Sequence, residues 1–538
     1  MERIRDLIEY LVGPRIGPSF AQWPPDVFGV AAGILERSGE YLDVAREWPP
    51  KTFRPAEKWN SHIHNLGAQW RKRAANRQSP PREIGRAWAD LLKQRNVLLK
   101  AIGEPSSQMK SLRQNLLELL AAADEACEGA GIPGEGLDKF ADQCLSLLLK
   151  QQSARTSATL CKRILDSSLC VLPKLHTPRT GLTIRSLSHH VAAVFATEVK
   201  PTWIWIDYPP LGRDRHGLNI LVAPWPLDLN PMAFSPARPK KRSLRNLNRK
   251  FGFFDFEAHG GKPVDFDRLA KLVEEARRVA GTVDMIVLPE LALTKDDLPN
   301  VAAFVRGLNP RPILISGLCL PVDGRENKCR NTSITIIPLK SGDRAFAFPQ
   351  AKHHRWLLTG SQVRQYGLGC VLDPTVDWWE DILLLPREVG FVSLQPWLTL
   401  CTLICEDLAR PDPIANIVRA VGPNLIIALL LDGPQIASRW SARYGTVLAD
   451  DPGSSVLTVS SLGMVKLSRP PGKQRSTVVA LWKDAQSGDP IEIGFEKSQE
   501  AVLLCLTRDW RDEFTADGRS DRGSTSYLTL SGIHAISL

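Results

Sequence analysis

No apolar run in this 538-residue chain approaches the roughly 18–20 residues that cross a bilayer, so a helical membrane span is excluded. The N-terminus, MERIRDLIEYLVG, carries acids and has neither a long apolar stretch nor a small-residue cleavage site. A secretory signal is therefore not expected. None of the ten cysteines stands in a Cys-x-x-Cys pair or at zinc-finger spacing from a histidine, which argues against a structural zinc. Most lie in apolar surroundings, as reduced core thiols of a cytoplasmic protein would. The first 200 residues lack a glycine-rich phosphate loop, a Tyr-x-Asp-Asp polymerase signature, a kinase signature and any internal repeat.

What is present is ordinary globular material, 43% hydrophobic and 23% charged. At roughly 100–200 residues per domain, the length suggests two to four domains. The net charge of +10 is uneven. Residues 1–200 hold 28 basic and 21 acidic side chains, and 51–100 alone hold 12 against 3. A second cluster, RPKKRSLRNLNRK at 238–250, has no acid. Such patches attract phosphates, so a nucleic-acid or protein partner through 51–100 and 238–250 is one reading. A solvated helix face and a loop is the simpler one, because no nucleic-acid motif accompanies either cluster.

Residues 1–200 read as mainly helical. Apolar residues recur at three-four spacing over 111–123 and 137–149. Trp23, Trp48, Trp59, Trp70 and Trp88 read as packing anchors. Near residue 200 the pattern changes, with a linker over 211–217. Short apolar runs at 203–206, 218–223, 285–288, 313–316, 333–337, 398–404, 425–431 and 456–460 predict strands. Helices are expected at 265–280, 413–421 and 435–448, the first with Leu269, Leu272, Val273, Ala276 and Val279 on one face. Further strands are expected at 478–482, 491–495 and 501–506. Alternating strand and helix predicts an α/β architecture. The expected units are a helical module over 1–200, an α/β domain over 216–510 and a C-terminal extension over 511–538.

Three polar residues each follow an apolar strand. Glu290 ends Asp284-Met-Ile-Val-Leu-Pro-Glu290, Lys352 stands before His353 and His354, and Cys405 ends Leu400-Cys-Thr-Leu-Ile-Cys405. Singly, each has a plain alternative: a strand-end acid, a basic loop and a core thiol. Together, in this order and separated by 62 and 53 residues, they are far more specific.

That combination resembles the nitrilase superfamily, the carbon–nitrogen hydrolases. Residues 284–290 resemble its "D-x-I-V-x-P-E", Lys352-His353 its "x-K-x-H", and Ile404, Cys405, Asp407 and Arg410 its "I-C-x-D-x-R-x-P", with one extra residue before the arginine. The resemblance spans roughly 216–510. It implies a four-layer α-β-β-α sandwich, preceded here by the mainly α-helical domain. It implies a Glu290–Lys352–Cys405 triad acting on a small amide-type substrate, an oxyanion contact from the Glu406 backbone, and no metal or organic cofactor. Family members often carry a second glutamate after the lysine. Here the next acid is Asp373, and Gln362 or Gln365 stands at the expected place, with Gln362 as the candidate substrate contact. The resemblance further implies a homodimer or higher oligomer. Nitrilase-like domains fused to extra modules also occur in prokaryotic antiviral defence, a setting that the resemblance itself does not reach. The alternatives are a catalytically silent scaffold of the same fold and a nucleic-acid-associated regulator.

Overall fold

Apolar runs that are buried on both faces form the centre of the molecule. The computed structural model describes residues 2–14, 16–41, 56–132, 138–154, 158–175, 182–195, 198–206, 208, 217–237, 251–258, 262–322, 329–340, 344–469, 475–496 and 498–538. The basic segment 238–250, Trp48, residues 51–55 of the first basic stretch and 211–216 of the linker lie outside them.

Strands are numbered along the chain. One sheet runs in the order β19 (Ile491–Gly494), β18 (Val478–Lys483), β17 (Ser455–Ser460), β16 (Leu425–Leu430), β15 (Leu398–Ile404), β14 (Glu388–Gln395), β3 (Lys200–Trp205). The other runs β11 (Ala345–Ala351), β10 (Cys329–Pro338), β9 (Ile313–Pro321), β7 (Met285–Val287), β4 (Gly217–Val222), β20 (Ala501–Arg511), β21 (Thr525–Ile536). A short β8 (Leu293–Thr294) pairs with β9. The central strands β15, β16 and β17 are parallel to one another, as are β4, β7 and β9.

Every residue of β15 is buried. Leu398 and Leu400 face the opposite sheet, among Ile220, Val222, Met285 and Val287. Cys401 and Leu403 point outward into a second cluster with the helices Asn416–Val421 and Trp440–Asp450. This double burial explains the unbroken apolar run, where a one-sided strand would alternate. On the far side, helices Phe266–Ala280 and Leu298–Gly307 cover the outer face of the other sheet. The layer order is therefore α-β-β-α, as expected. Leu269, Leu272, Val273 and Ala276 are buried, but Val279 is 50% exposed. The apolar stripe continues four residues on, through Ala280.

The N-terminal part is mainly helical: Ile4–Val12, Pro24–Ser38, Ala56–Ala75, Arg82–Lys93, Ser107–Ala126 and Lys139–Ser153. A strand pair, β1 (Leu169–Val171) and β2 (Val191–Ala193), follows. Trp59, Trp70 and Trp88 are buried anchors. One apolar cluster joins these helices to the outward face of β15 and β16, and β3 pairs directly with β14. The helical part thus shares its core with the sandwich. Within residues 511–538, β21 pairs along the full length of β20 and forms the edge of that sheet.

Two features were not anticipated. A small sheet, β12 (Leu357–Leu358), β13 (Asp377–Glu380), β6 (Phe251–Phe256), β5 (Phe234–Pro236), gathers Phe234, Phe254, Trp356, Tyr366, Leu431 and Met464 into its own cluster. Cys319 and Cys329, on the antiparallel neighbours β9 and β10, form a disulfide with a Cα separation of 5.6 Å. Cys127, Cys144, Cys161, Cys170 and Cys401 are buried free thiols. No described helix is long and apolar enough to cross a membrane.

Candidate active site

Each candidate residue lies at or within three residues of a strand end. β7 stops at Val287, and Glu290 follows two residues after Leu288. β11 ends at Ala351, next to Lys352. β15 ends at Ile404, next to Cys405. The first two strands belong to one sheet and the third to the other, so the site forms where the sheets meet at one end.

The Lys352 ammonium lies between two carboxylates. Nζ donates to Glu290 Oε1 at 2.8 Å and to Glu380 Oε2 at 2.7 Å. Asn331 ties the same pair together, its Nδ2 donating to Glu290 Oε1 at 2.7 Å and Glu380 Oε1 at 2.9 Å. Glu380 Oε2 also accepts the Trp356 N–H at 3.0 Å. Glu290 Oε2 has no hydrogen-bond partner among the described residues.

Charge and burial act together here. Glu290, Lys352 and Cys405 are each 1% exposed. Burial raises the Glu290 carboxyl, Lys352 opposes it, and Glu380 adds to the rise. Burial would lower the Lys352 pKa, but Glu290, Glu380 and Cys405 hold its ammonium well above the ordinary value. Burial, then the Glu290 charge, pushes the Cys405 thiol well above its ordinary value, while Lys352 pulls the other way. Cys405 is thus within reach of both charges, and its resting form is the thiol.

Backbone geometry fixes these side chains. Cys405 has φ 45° and Leu291, just after Glu290, has φ 55°, both in the left-handed region that non-glycine residues rarely enter. Cys405–Asp407 is a 3₁₀ turn, so the N–H groups at its start have no partner within the turn. A Cβ on Gly317 would sit 2.4 Å from Glu290 Cα and 2.2 Å from the Leu291 nitrogen, so only glycine lets β9 pass this close. The fully buried Asp407 joins the cysteine and lysine loops. Its carboxylate accepts the N–H of His353 and of His354, each at 3.0 Å, and the His354 Nδ1 contact at 3.0 Å.

The structure corrects the expectation about the second carboxylate. Gln362 Oε1 accepts from the Thr359 N–H at 2.9 Å, capping the short helix Gly360–Gln365. Gln365 donates to Ser468 at 3.0 Å. Neither glutamine contacts Lys352, and Glu380 takes that place from 28 residues downstream. Its one sequence signal is an acid ending the short aromatic run Asp377–Glu380. Glu406 is half-buried, with Arg410 3.5 Å from its carboxylate.

At the end of β16, one strand over from Cys405, Asp432 forms a second buried cluster. It accepts from Arg439 Nη2 at 2.7 Å and Trp440 Nε1 at 2.9 Å, and the Tyr366 hydroxyl also donates to it. The described residues hold no cluster of three or more His, Cys, Asp and Glu suited to a metal ion.

No family model and no curated protein matches this chain. Among solved structures it is similar to Saccharomyces cerevisiae Nit3, a member of branch 10 of the nitrilase superfamily, at 12% identity and TM-score 0.33, over 54% of this chain and 90% of that one. It is also similar to an amidase from Nesterenkonia sp. at 11% identity and TM-score 0.32, over 55% of this chain and 92% of that one. A third similarity is to glutamine-dependent NAD+ synthetase from Acinetobacter baumannii, at 11% identity and TM-score 0.32, over 59% of this chain and 48% of that one.

Proposed function

We propose that this chain cleaves a non-peptide carbon–nitrogen bond of an amide-type substrate through a thioester on Cys405. The observation that carries this is the Lys352 ammonium fixed between Glu290 and Glu380, with both Glu290 and Lys352 acting electrostatically on Cys405 at its left-handed turn. An amide carbon is a poor electrophile, so passing through a covalent intermediate divides one hard step into two easier ones.

Glu290, through its unpaired Oε2, takes the Cys405 proton as the sulfur attacks the carbonyl carbon. The oxyanion that forms is met by the Lys352 ammonium and the Glu406 backbone N–H. As the carbon–nitrogen bond breaks, Glu290 returns the proton to the leaving amine. Water then enters, gives a proton to Glu290 and attacks the thioester. The acid leaves, and the proton goes back to the Cys405 sulfur. Glu380 positions Lys352 and balances its charge. With an amine in place of water, the same thioester would transfer its acyl group.

Incubation with a panel of primary amides, read by ammonia release and by intact mass, tests this. The expected result is an acyl adduct on Cys405 that builds up with slow substrates, and no adduct or ammonia with Cys405→Ala. Ammonia release unchanged in Cys405→Ala would overturn it.

A further inference from the structure

We propose that Lys174 is a second reactive site, an amine that condenses with a small aliphatic aldehyde or ketone held in the cavity beside it. The cavity measures about 170 Å³, below the roughly 300–1,000 Å³ of drug-sized pockets, which limits its occupant to a few carbon atoms. It lies between the end of β1, the start of β2, the turn joining β14 to β15 and the start of β21. Ile132, Leu172, Pro173 and Trp397 give it an apolar wall. None of its residues belongs to the Glu290–Lys352–Cys405 site.

Lys174 is 5% exposed, and its contacts suit an amine as well as an ammonium. Nζ donates to Ser188 Oγ at 2.6 Å and to the Val191 carbonyl at 2.9 Å, both uncharged. Among the described residues no carboxylate pairs with it. The Asp124 carboxylate is instead held by Arg519 at 3.0 Å and by the N–H groups of His189 at 2.7 Å and of His190 and Val191 at 2.9 Å. Glu128, on the cavity wall, is exposed. Burial lowers the Lys174 pKa to about 7; Asp124 opposes the fall, and Arg185 and Arg519 add to it. About half of Lys174 is then neutral at pH 7, against under about 0.1% of an ordinary lysine.

A neutral amine has two N–H groups and one lone pair. Ser188 and Val191 take both N–H groups, which leaves the lone pair for an electrophile. Desolvation and neighbouring cations are the two means by which a lysine becomes a Schiff-base nucleophile, and Lys174 has both. The lone pair attacks the carbonyl carbon and forms the C–N bond. The nitrogen gives up its two protons, the carbonyl oxygen leaves with two as water, and a C=N bond remains. The His190 ring lines the same cavity and makes no hydrogen bond to a described residue, so it can pass a proton to the departing oxygen. Apart from Lys174 no Lys or Arg lines the cavity, which favours an uncharged carbonyl compound over an anionic one.

Limited reductive alkylation of the full chain with propanal and cyanoborohydride at pH 7, read by peptide mapping, tests this. The expected result is propylation of Lys174 at least about tenfold faster than of the exposed Lys100 and Lys110. Naphthaldehyde, too large for the cavity, should label Lys100 and Lys110 ahead of Lys174. His190→Gln should slow Lys174 severalfold and leave the other two unchanged. Lys174 propylated no faster than Lys100 and Lys110 would overturn the proposal. A lead that Lys174 keeps with naphthaldehyde would overturn the part given to the cavity, and an unchanged rate in His190→Gln the part given to that ring.

Discussion

Glu290 can accept a proton only while ionised. Burial raises its pKa, Lys352 offsets part of the rise, and Glu380 adds to it. The acid limb of kcat/KM should therefore lie above the ordinary carboxylate range of about 4.3, with the rate falling as pH drops through it. Lys352 is held protonated well above its ordinary value, so no loss of rate from Lys352 is expected below about pH 10. Glu290→Gln should lower kcat/KM roughly 10²–10⁴-fold and abolish the acid limb, with Tm little changed. A pH–rate profile of both proteins checks this. At this scale, Glu290, Lys352 and Cys405 were legible as candidates because Lys352 and Cys405 directly follow a strand and Glu290 comes three residues after one. Glu380 was not. It reaches Lys352 only because β13 folds into a small sheet whose two- to six-residue strands leave almost no period to read.

The elements around the site hold two loops in register through one buried carboxylate. Asp407 accepts from both His353 and His354. Asparagine would keep one acceptor oxygen and turn an amide toward an N–H. Asp407→Asn should cost about 1–3 kcal/mol in urea unfolding and should lower kcat more than it raises KM. An unchanged denaturation midpoint would remove Asp407 from this role. The long strands were legible, with β15 matching its expected span, because double burial leaves an unmistakable apolar run. The small sheet was not, since β6 pairs in parallel with β13, more than 120 residues downstream (251 to 377), and nothing local specifies that partner.

Across the whole molecule, a loop from the far end of the chain is buried against the helical part. Arg519 is fully buried and pairs with Asp124 at 3.0 Å, Glu125 at 2.8 Å and Asp517 at 3.0 Å. Trp59 Nε1 donates to the same Asp517 at 2.9 Å. Arg519→Met would leave buried carboxylates unbalanced, at a cost of about 3–5 kcal/mol, read as a lower urea midpoint for the whole chain. The α-helices of the first part end at Ser153 and β1 begins at Leu169, so the shift from helix to strand comes ahead of the change in periodicity near residue 200. That change does not mark the edge of a core, because an amphipathic face shows that it is buried without showing against what. The account's central claim is that Glu290 and Lys352 make Cys405 a nucleophile. Site-resolved alkylation of the free cysteines by iodoacetamide across pH, in the wild type and Glu290→Gln, tests this most directly. The account predicts that Cys405 reacts well ahead of the buried Cys127, Cys161 and Cys170 near neutral pH, and that Glu290→Gln removes this lead. A Cys405 as inert as those three in both proteins would contradict it.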